Sequence, residues 1–210
     1  MDLANFILFF LAALAIAASP GPGIFYVVAR TLSGGRAEGL ASSVGTGLGA
    51  RVHVLAGAVG ISALVLASAE AFTALKVLAA VYLIWVGIKT MRATRVDLDI
   101  HAEPAGARRA FREGIVVEAL NPKTAAFFLA FLPQFVDPSA GPVWLQFLLL
   151  GLVSVTLNTG VDIGVAIMAS RARSMAAARP SLLQRLRQGA GLAIASLGLA
   201  LLFARRPASL

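Results

Sequence analysis

Apolar residues in this chain gather into long unbroken runs. Six runs can be read, near residues 3–29, 40–68, 71–91, 114–136, 143–170 and 188–204. Most reach or exceed the roughly 20 residues that a helix needs to cross a bilayer, and the last is the shortest. Polar breaks separate them at Ser33–Glu38, at Ser68–Glu70, across 92–113, at Asp137–Pro142 and across 171–187. Lipid offers the backbone no hydrogen-bond partner, so such runs must form helices or a closed barrel. Barrel strands alternate apolar and polar residues. These runs do not, and the pattern predicts an all-α integral membrane protein with six transmembrane helices. The small residues Ala17-Ala18-Ser19 imitate a signal-peptide cleavage site. A signal peptide starts with positive charge, whereas only Asp2 precedes this run, so it is read as a retained span.

Composition agrees. The 210 residues are 59% hydrophobic and 13% charged, where a soluble domain carries about 25% charged residues. A net charge of +8 can signal a nucleic-acid partner, but here the basic residues sit in short loops. The first loop has Arg30 and Arg36. The third has Lys89, Arg92, Arg95, Arg108, Arg109 and Arg112, and the fifth has Arg171, Arg173, Arg179, Arg185 and Arg187. The second and fourth offer little beyond Lys76, near Glu70, and Asp137. The positive-inside rule then makes loops one, three and five cytoplasmic and places both termini outside. Arg205 and Arg206 run against this pattern without reversing it. No nucleic-acid partner is expected. The absence of cysteine excludes disulfides, thiolate ligands and Cys nucleophiles.

The loop over 93–110 divides a single transporter domain, 1–210, into halves of about 1–92 and 111–204. Three spans per half force the halves into opposite orientations, so the expected fold is two inverted three-helix repeats, a common transporter architecture. Sequence similarity between the halves is weak, and the repeat is inferred from topology.

Two runs are interrupted at corresponding places. The first carries Ser19-Pro20-Gly21-Pro22-Gly23 and the fourth Asn121-Pro122-Lys123. Proline removes a backbone donor, so Pro20 and Pro22 free the carbonyls of Ile16 and Ala18, and Pro122 frees that of Glu118. Such breaks must face protein or a water-filled cavity, and paired breaks point to a transporter's substrate site. Simple packing kinks are the alternative. Lys123 lies about ten residues into its span, near mid-bilayer at 1.5 Å per residue. Glu118 is one turn before Pro122, and Asp162 lies inside the fifth span. Charges at such depth usually face an interior cavity. Ser154, Asn158 and Asp162 recur every four residues and share one helix face. A buried hydrogen-bonded helix contact, or a structural pairing of Lys123 with Glu118 or Asp162, would explain them equally. Gly45, Gly49, His53 and Gly57 form a stripe of close helix packing. His53 could also carry a proton, although a plainly hydrogen-bonded histidine explains it as well. Arg51 is expected to reach toward an interior carboxylate. No P-loop, HExxH or GxSxG motif appears. ATP is therefore not the evident energy source, and no enzyme, cofactor or metal site is expected.

These residues together resemble the lysine exporter and threonine/homoserine efflux (LysE/RhtB) family over nearly the whole chain. The resemblance is carried by Ser19-Pro20-Gly21-Pro22, by Arg36, Gly39, Gly45, Gly49 and His53, by Ala80-Val81-Tyr82-Leu83 and Gly87, by Phe111-Arg112-Glu113-Gly114, by Asn121-Pro122-Lys123, and by Phe128 and Phe131-Leu132-Pro133-Gln134-Phe135. It implies a proton-driven exporter of amino acids or related metabolites in a bacterial inner membrane. The chain departs from the family pattern at Gly23, where a polar or acidic residue is frequent, and near Asn158, where an acid is frequent. Glu118 and Asp162 are less typical, so the substrate is not carried over.

The expected mechanism is alternating access around the two breaks. The substrate-binding candidates are Pro20, Gly21, Pro22, Asn121, Pro122, Lys123 and Asn158. Helix ends and freed carbonyls would hold a zwitterion, and Lys123 would pair with its carboxylate. Glu118 or Asp162 would take its amine or the coupling proton, with His53 a further proton candidate. The expected partners are a small-molecule substrate, protons, the lipid bilayer and, as one option, a second copy in a homodimer. A metal-ion exporter of the wider superfamily and a non-transporting membrane scaffold are the competing readings.

Overall fold

The computed structural model describes residues 3–61 and 104–171, with isolated helical positions between 73 and 92 and between 188 and 199. The runs expected at 71–91 and 188–204 fall mostly outside the described residues. Within them, every regular element is helical: α1 (Leu3–Ala18), α2 (Pro22–Ala56), α3 (Ala107–Ala119), α4 (Pro122–Ala126) and α5 (Val143–Arg171). A π turn, Gly57–Ile61, extends α2. A π turn, Phe127–Phe131, and a 3-10 turn, Leu132–Phe135, extend α4.

Among the described residues, α5 is the one helix that is by itself long and apolar enough to cross a bilayer. Up to three spans result if the bent pairs α1 with α2 (48°) and α3 with α4 and its extensions (42°) each count as one. The break expected at Ser33–Glu38 is narrower than its polar stretch. The helical pattern runs through it and only Gly35 departs, at φ 79°, a left-handed conformation that glycine adopts freely. There the chain folds back on itself. A Cβ on Gly39 would strike the Thr31 hydroxyl, a contact two residues eight apart cannot make in a straight helix. The two limbs also run opposite ways along α3. Gly23 lies by Glu118 and Asn121, and Tyr26 by Ala110, so the first limb is antiparallel to α3. Gly45 lies by Phe111 and Gly49 by Ile115, so the second is parallel to it. That second limb is antiparallel to α5, with Thr46 beside Asp162 and Gly57 beside Phe147.

Helix α3 begins at Ala107, inside the stretch expected to be loop. Its start is held by the buried Glu38, whose Oε1 accepts from the Gly106 N–H at 2.7 Å. An acid suits the positive end of a helix. The glycine stripe of α2 is packing, as expected: added Cβ atoms would meet the backbone carbonyls of Phe111 at Gly45 and of Ile115 at Gly49, and the Phe147 ring at Gly57. The apolar core lies at the other end of the bundle. It joins Phe9 and Ala13 of α1, Val54 of α2, Phe127, Phe128 and Leu132 of the extended α4, and Phe147 and Leu150 of α5. Phe9 meets Phe135 edge-on at 5.3 Å. Between that end and α5, Ser139 donates to Asp137 from its N–H and hydroxyl, which holds the Asp137 carboxyl below its usual range.

Candidate functional site

The two proline breaks meet. Pro20 deprives the Ile16 carbonyl of its helical donor, and the chain restarts as helix only at Pro22. The Ser19 hydroxyl bonds Ile16 O locally at 2.9 Å. The ammonium of Lys123, from the other break, donates to Ile16 O at 3.1 Å and to Ser19 O at 2.8 Å. The reciprocal bond runs the other way. Pro122 frees the Glu118 carbonyl, and His53 Nε2 lies 3.0 Å from it. A carbonyl only accepts, so this nitrogen carries the hydrogen. The His53 ring also stacks on Phe128, at 6.1 Å and 20°. Each break is thus closed by a side chain from outside its own span.

Around these bonds the side chains of Asn121, Thr124 and Glu118 are paired with one another. Asn121 accepts from the Lys123 N–H at 3.0 Å, capping α4, and donates from Nδ2 to Glu118 Oε2 at 2.9 Å. Thr124 Oγ1 donates to Glu118 Oε1 at 2.5 Å. Both oxygens of Glu118 therefore have a donor although the residue is buried, an arrangement that suits an ionised carboxylate. Gly23 is what admits it: a Cβ there would collide with Glu118 Oε2. Across the site, Thr46 Oγ1 lies 2.8 Å from Asp162 Oδ2, and Asn158 Nδ2 lies 3.4 Å from the same oxygen. Lys123 lies within coulombic range of Glu118 and Asp162. Even so, the ion pairs found among the described residues are Arg30–Glu113 and Arg109–Glu113.

A cavity of about 30 Å³ opens between the breaks. Glu118, Lys123, Thr124, Ser154 and Asn158 give it polar walls, and Ala13, Ala17, Ala50, Phe127 and Phe128 are among its apolar ones. Such a volume holds one or two water molecules. Toward α3's start, the Tyr26 hydroxyl donates to Ala110 O at 2.9 Å and Arg30 pairs with Glu113, which ties the first limb of α2 to α3.

Of the residues singled out in the sequence, Lys123, Glu118 and Asn158 line this cavity, and Asn121 and His53 brace its wall. Pro20, Pro22 and Pro122 shape the breaks rather than the cavity, and Pro22 is exposed. Gly21 lies against the Lys123 chain, its added Cβ 3.2 Å from Cδ and Cε. Asp162 is buried beside the site. Arg51 departs from expectation. It is exposed and lines a separate groove with Thr156 and Thr159, and it pairs with no described carboxylate. An arginine stem of this length reaches only the groove on its own helix face. Sequence reasoning missed Thr46, Thr124, Tyr26 and Glu113. The first two are short hydroxyl residues with no signal of their own. Tyr26 lay inside the expected first span with nothing to mark it as a polar contact, and Glu113 sat just before the expected start of the fourth. Among the described residues, no three His, Asp or Glu come together as a metal set.

Similarity to known proteins gives the chain a family. The family model for the LysE type translocator matches residues 14–205. An uncharacterized membrane protein of Vibrio cholerae is 33% identical, over 81% of this chain and 83% of its own. A homoserine/homoserine lactone efflux protein of Salmonella typhimurium is 34% identical, over 73% and 74%. A leucine efflux protein of Klebsiella pneumoniae is 28% identical, over 70% and 71%. No solved structure matches. With its model matched from the first span almost to the C-terminus, the chain belongs to the LysE-type translocator family of membrane proteins.

Proposed function

We propose that this chain is a secondary-active exporter of amino acids or related small metabolites. It works across a bacterial cytoplasmic membrane, is coupled to protons, and has both termini outside. The observation that carries the reading is the buried cavity at the meeting point of two proline-broken helices, with an ammonium and a carboxylate in its wall. An α-amino acid presents the complementary pair. Its carboxylate would take Lys123 and its ammonium Glu118, with Asn158 and Ser154 beside it and the phenylalanines against its side chain.

The opposite directions of the first span and α3–α4, and of the second span and α5, support two inverted three-helix repeats that rock about the breaks. A cavity sized for water fits a closed state from which either end opens. In this reading His53 positions the Glu118 carbonyl through its Nε2–H. The printed names of the relatives choose the first probes.

The test is reconstitution into liposomes with an imposed proton gradient, screening homoserine, homoserine lactone, leucine and lysine. Gradient-dependent movement of at least one, lost in Lys123→Ala at equal protein, is the expected result. Wild-type protein that moves none of them, or moves them without regard to the gradient, would overturn the reading.

A further inference from the structure

Glu118 and Asp162 are both buried beside the cavity, at 1% exposure each, yet their surroundings are not alike. Glu118 has a donor on each oxygen. Asp162 does not. Its Oδ1 is buried with no hydrogen-bond partner among the described residues. Its Oδ2 has the long Asn158 contact and the Thr46 hydroxyl. That hydroxyl has one hydrogen and also lies 2.9 Å from the Ser43 carbonyl, which can only accept. Both contacts are hydrogen bonds at the same time only when Asp162 itself holds a hydrogen and donates it to Thr46 Oγ1. An ionised Asp162 would leave one buried oxygen bare and the other contested, the situation that makes a buried charge costly.

Among the described residues, the charged groups around it do not offset that. Lys123 on α4 and Glu118 on α3 are the near ones, and the Lys123 ammonium is engaged by the Ile16 and Ser19 carbonyls. On α2, Glu38 lies two turns before Thr46 and binds Gly106 N, and His53 lies about two turns after it on the Glu118 carbonyl. Helix α1 has no charged residue, and α5 has none besides Asp162 and the terminal Arg171.

From this asymmetry we infer that the two acids divide the work: Asp162, hydrogen-bonded to Thr46, is the proton site, and Glu118 stays ionised as the anchor for the substrate's ammonium. The inference rests on the proton-coupled reading above. Asp162 would take its proton when the site opens outward, where protons enter, and lose it when water reaches Oδ1 from the cytoplasm. No covalent step is involved.

The test is independent of knowing the substrate. Infrared spectra of the full chain in liposomes at neutral pH should contain a carboxylic-acid C=O band that Asp162→Asn removes and Glu118→Gln leaves in place. Thr46→Val, which deletes the hydrogen bond but not the carboxyl, should keep that band and move it to higher frequency. It also answers the question if Asp162→Asn does not fold. A folded wild-type protein with no such band, a band lost in Glu118→Gln, or one indifferent to Thr46→Val would overturn the assignment. Transport then separates the two levels. Homoserine uptake into wild-type liposomes that ignores the proton gradient sinks the coupled reading itself. Gradient-driven movement that survives Asp162→Asn sinks only the role of Asp162, whereas movement that follows sodium instead sinks the coupled reading as well.

Discussion

The Nζ of Lys123 donates to the carbonyl of Ile16, 107 residues earlier, across 3.1 Å. That carbonyl is one that Pro20 leaves without its helical donor. The mirror of this bond is His53 on the Glu118 carbonyl at 3.0 Å. Breaking a helix inside a membrane exposes polar backbone that lipid cannot satisfy. Here local donors meet part of each defect, Ser19 at the Ile16 carbonyl and the Asn121 N–H at that of Glu118, and a side chain from elsewhere in the fold adds a further bond to each.

Lys123→Met should therefore do more than remove a charge. Its two carbonyl partners are part-buried, and losing a donor to such groups costs roughly 1–3 kcal/mol. We expect a lower unfolding temperature in detergent together with loss of transport. Unchanged thermal stability would mean that the two carbonyls find other donors and that the lysine does not tie the breaks together.

The glycines of α2 and α5 should separate cleanly by what a methyl group would meet. Gly45→Ala and Gly49→Ala press on backbone carbonyls of α3, which cannot rotate away as a side chain does. Overpacking of this kind costs about 1–3 kcal/mol. Gly160 and Gly164 have open space at that position. Alanine there should be neutral, or stabilising by about 0.5–1 kcal/mol through helix propensity. Thermal unfolding of the four variants side by side checks the ranking, and equal losses would contradict the packing seen along α3.

Much of this was legible in the sequence. The freed carbonyls of Ile16 and Glu118 followed from proline chemistry alone, and the depth of Lys123 marked it as interior. The partners were not legible. Lys123 invited pairing with a carboxylate, yet its ammonium goes to carbonyls, because the backbone defect lies closer than either acid. Arg51 has the same composition signal as Lys123, but the helix rotation that sends one inward and the other outward is set by packing. The first four positions of α3, Ala107 to Ala110, looked like loop because the charges among them reflect the water interface rather than the end of the helix.

Gly23 and Glu118 occupy one place between them. The Cβ that Gly23 lacks would fall on the carboxylate of Glu118. Gly23→Asp alone should impair folding or transport through collision and like charge. Glu118→Ala alone should abolish transport by leaving Asn121 Nδ2 and Thr124 without their acceptor. The double variant Gly23→Asp/Glu118→Ala returns a carboxylate to the same spot from the other half. It should recover part of the export lost in Glu118→Ala at matched protein abundance. Recovery no better than in the Glu118→Ala single variant would mean that the carboxylate must come from α3.

The end of the bundle that holds Glu113 should open more readily than the phenylalanine end. One carboxylate there accepts from Arg30 and Tyr26 on the first limb of α2, while Arg109 reaches it from its own helix. Only the first two bonds cross the seam. All of them are partly exposed, so the closure is worth about 1 kcal/mol, several-fold in the population of the open form. The chain has no native cysteine, which makes a single Ser154→Cys a clean reporter on the cavity wall. A membrane-impermeant maleimide should label it slowly in the otherwise unchanged protein. Adding Glu113→Gln should speed labelling several-fold from the Glu113 side and leave the opposite side as it was. Arg109→Ala, which removes no bond across the seam, should change little. Equal acceleration from both sides would indicate general loosening, and no acceleration would show that the closure is held elsewhere.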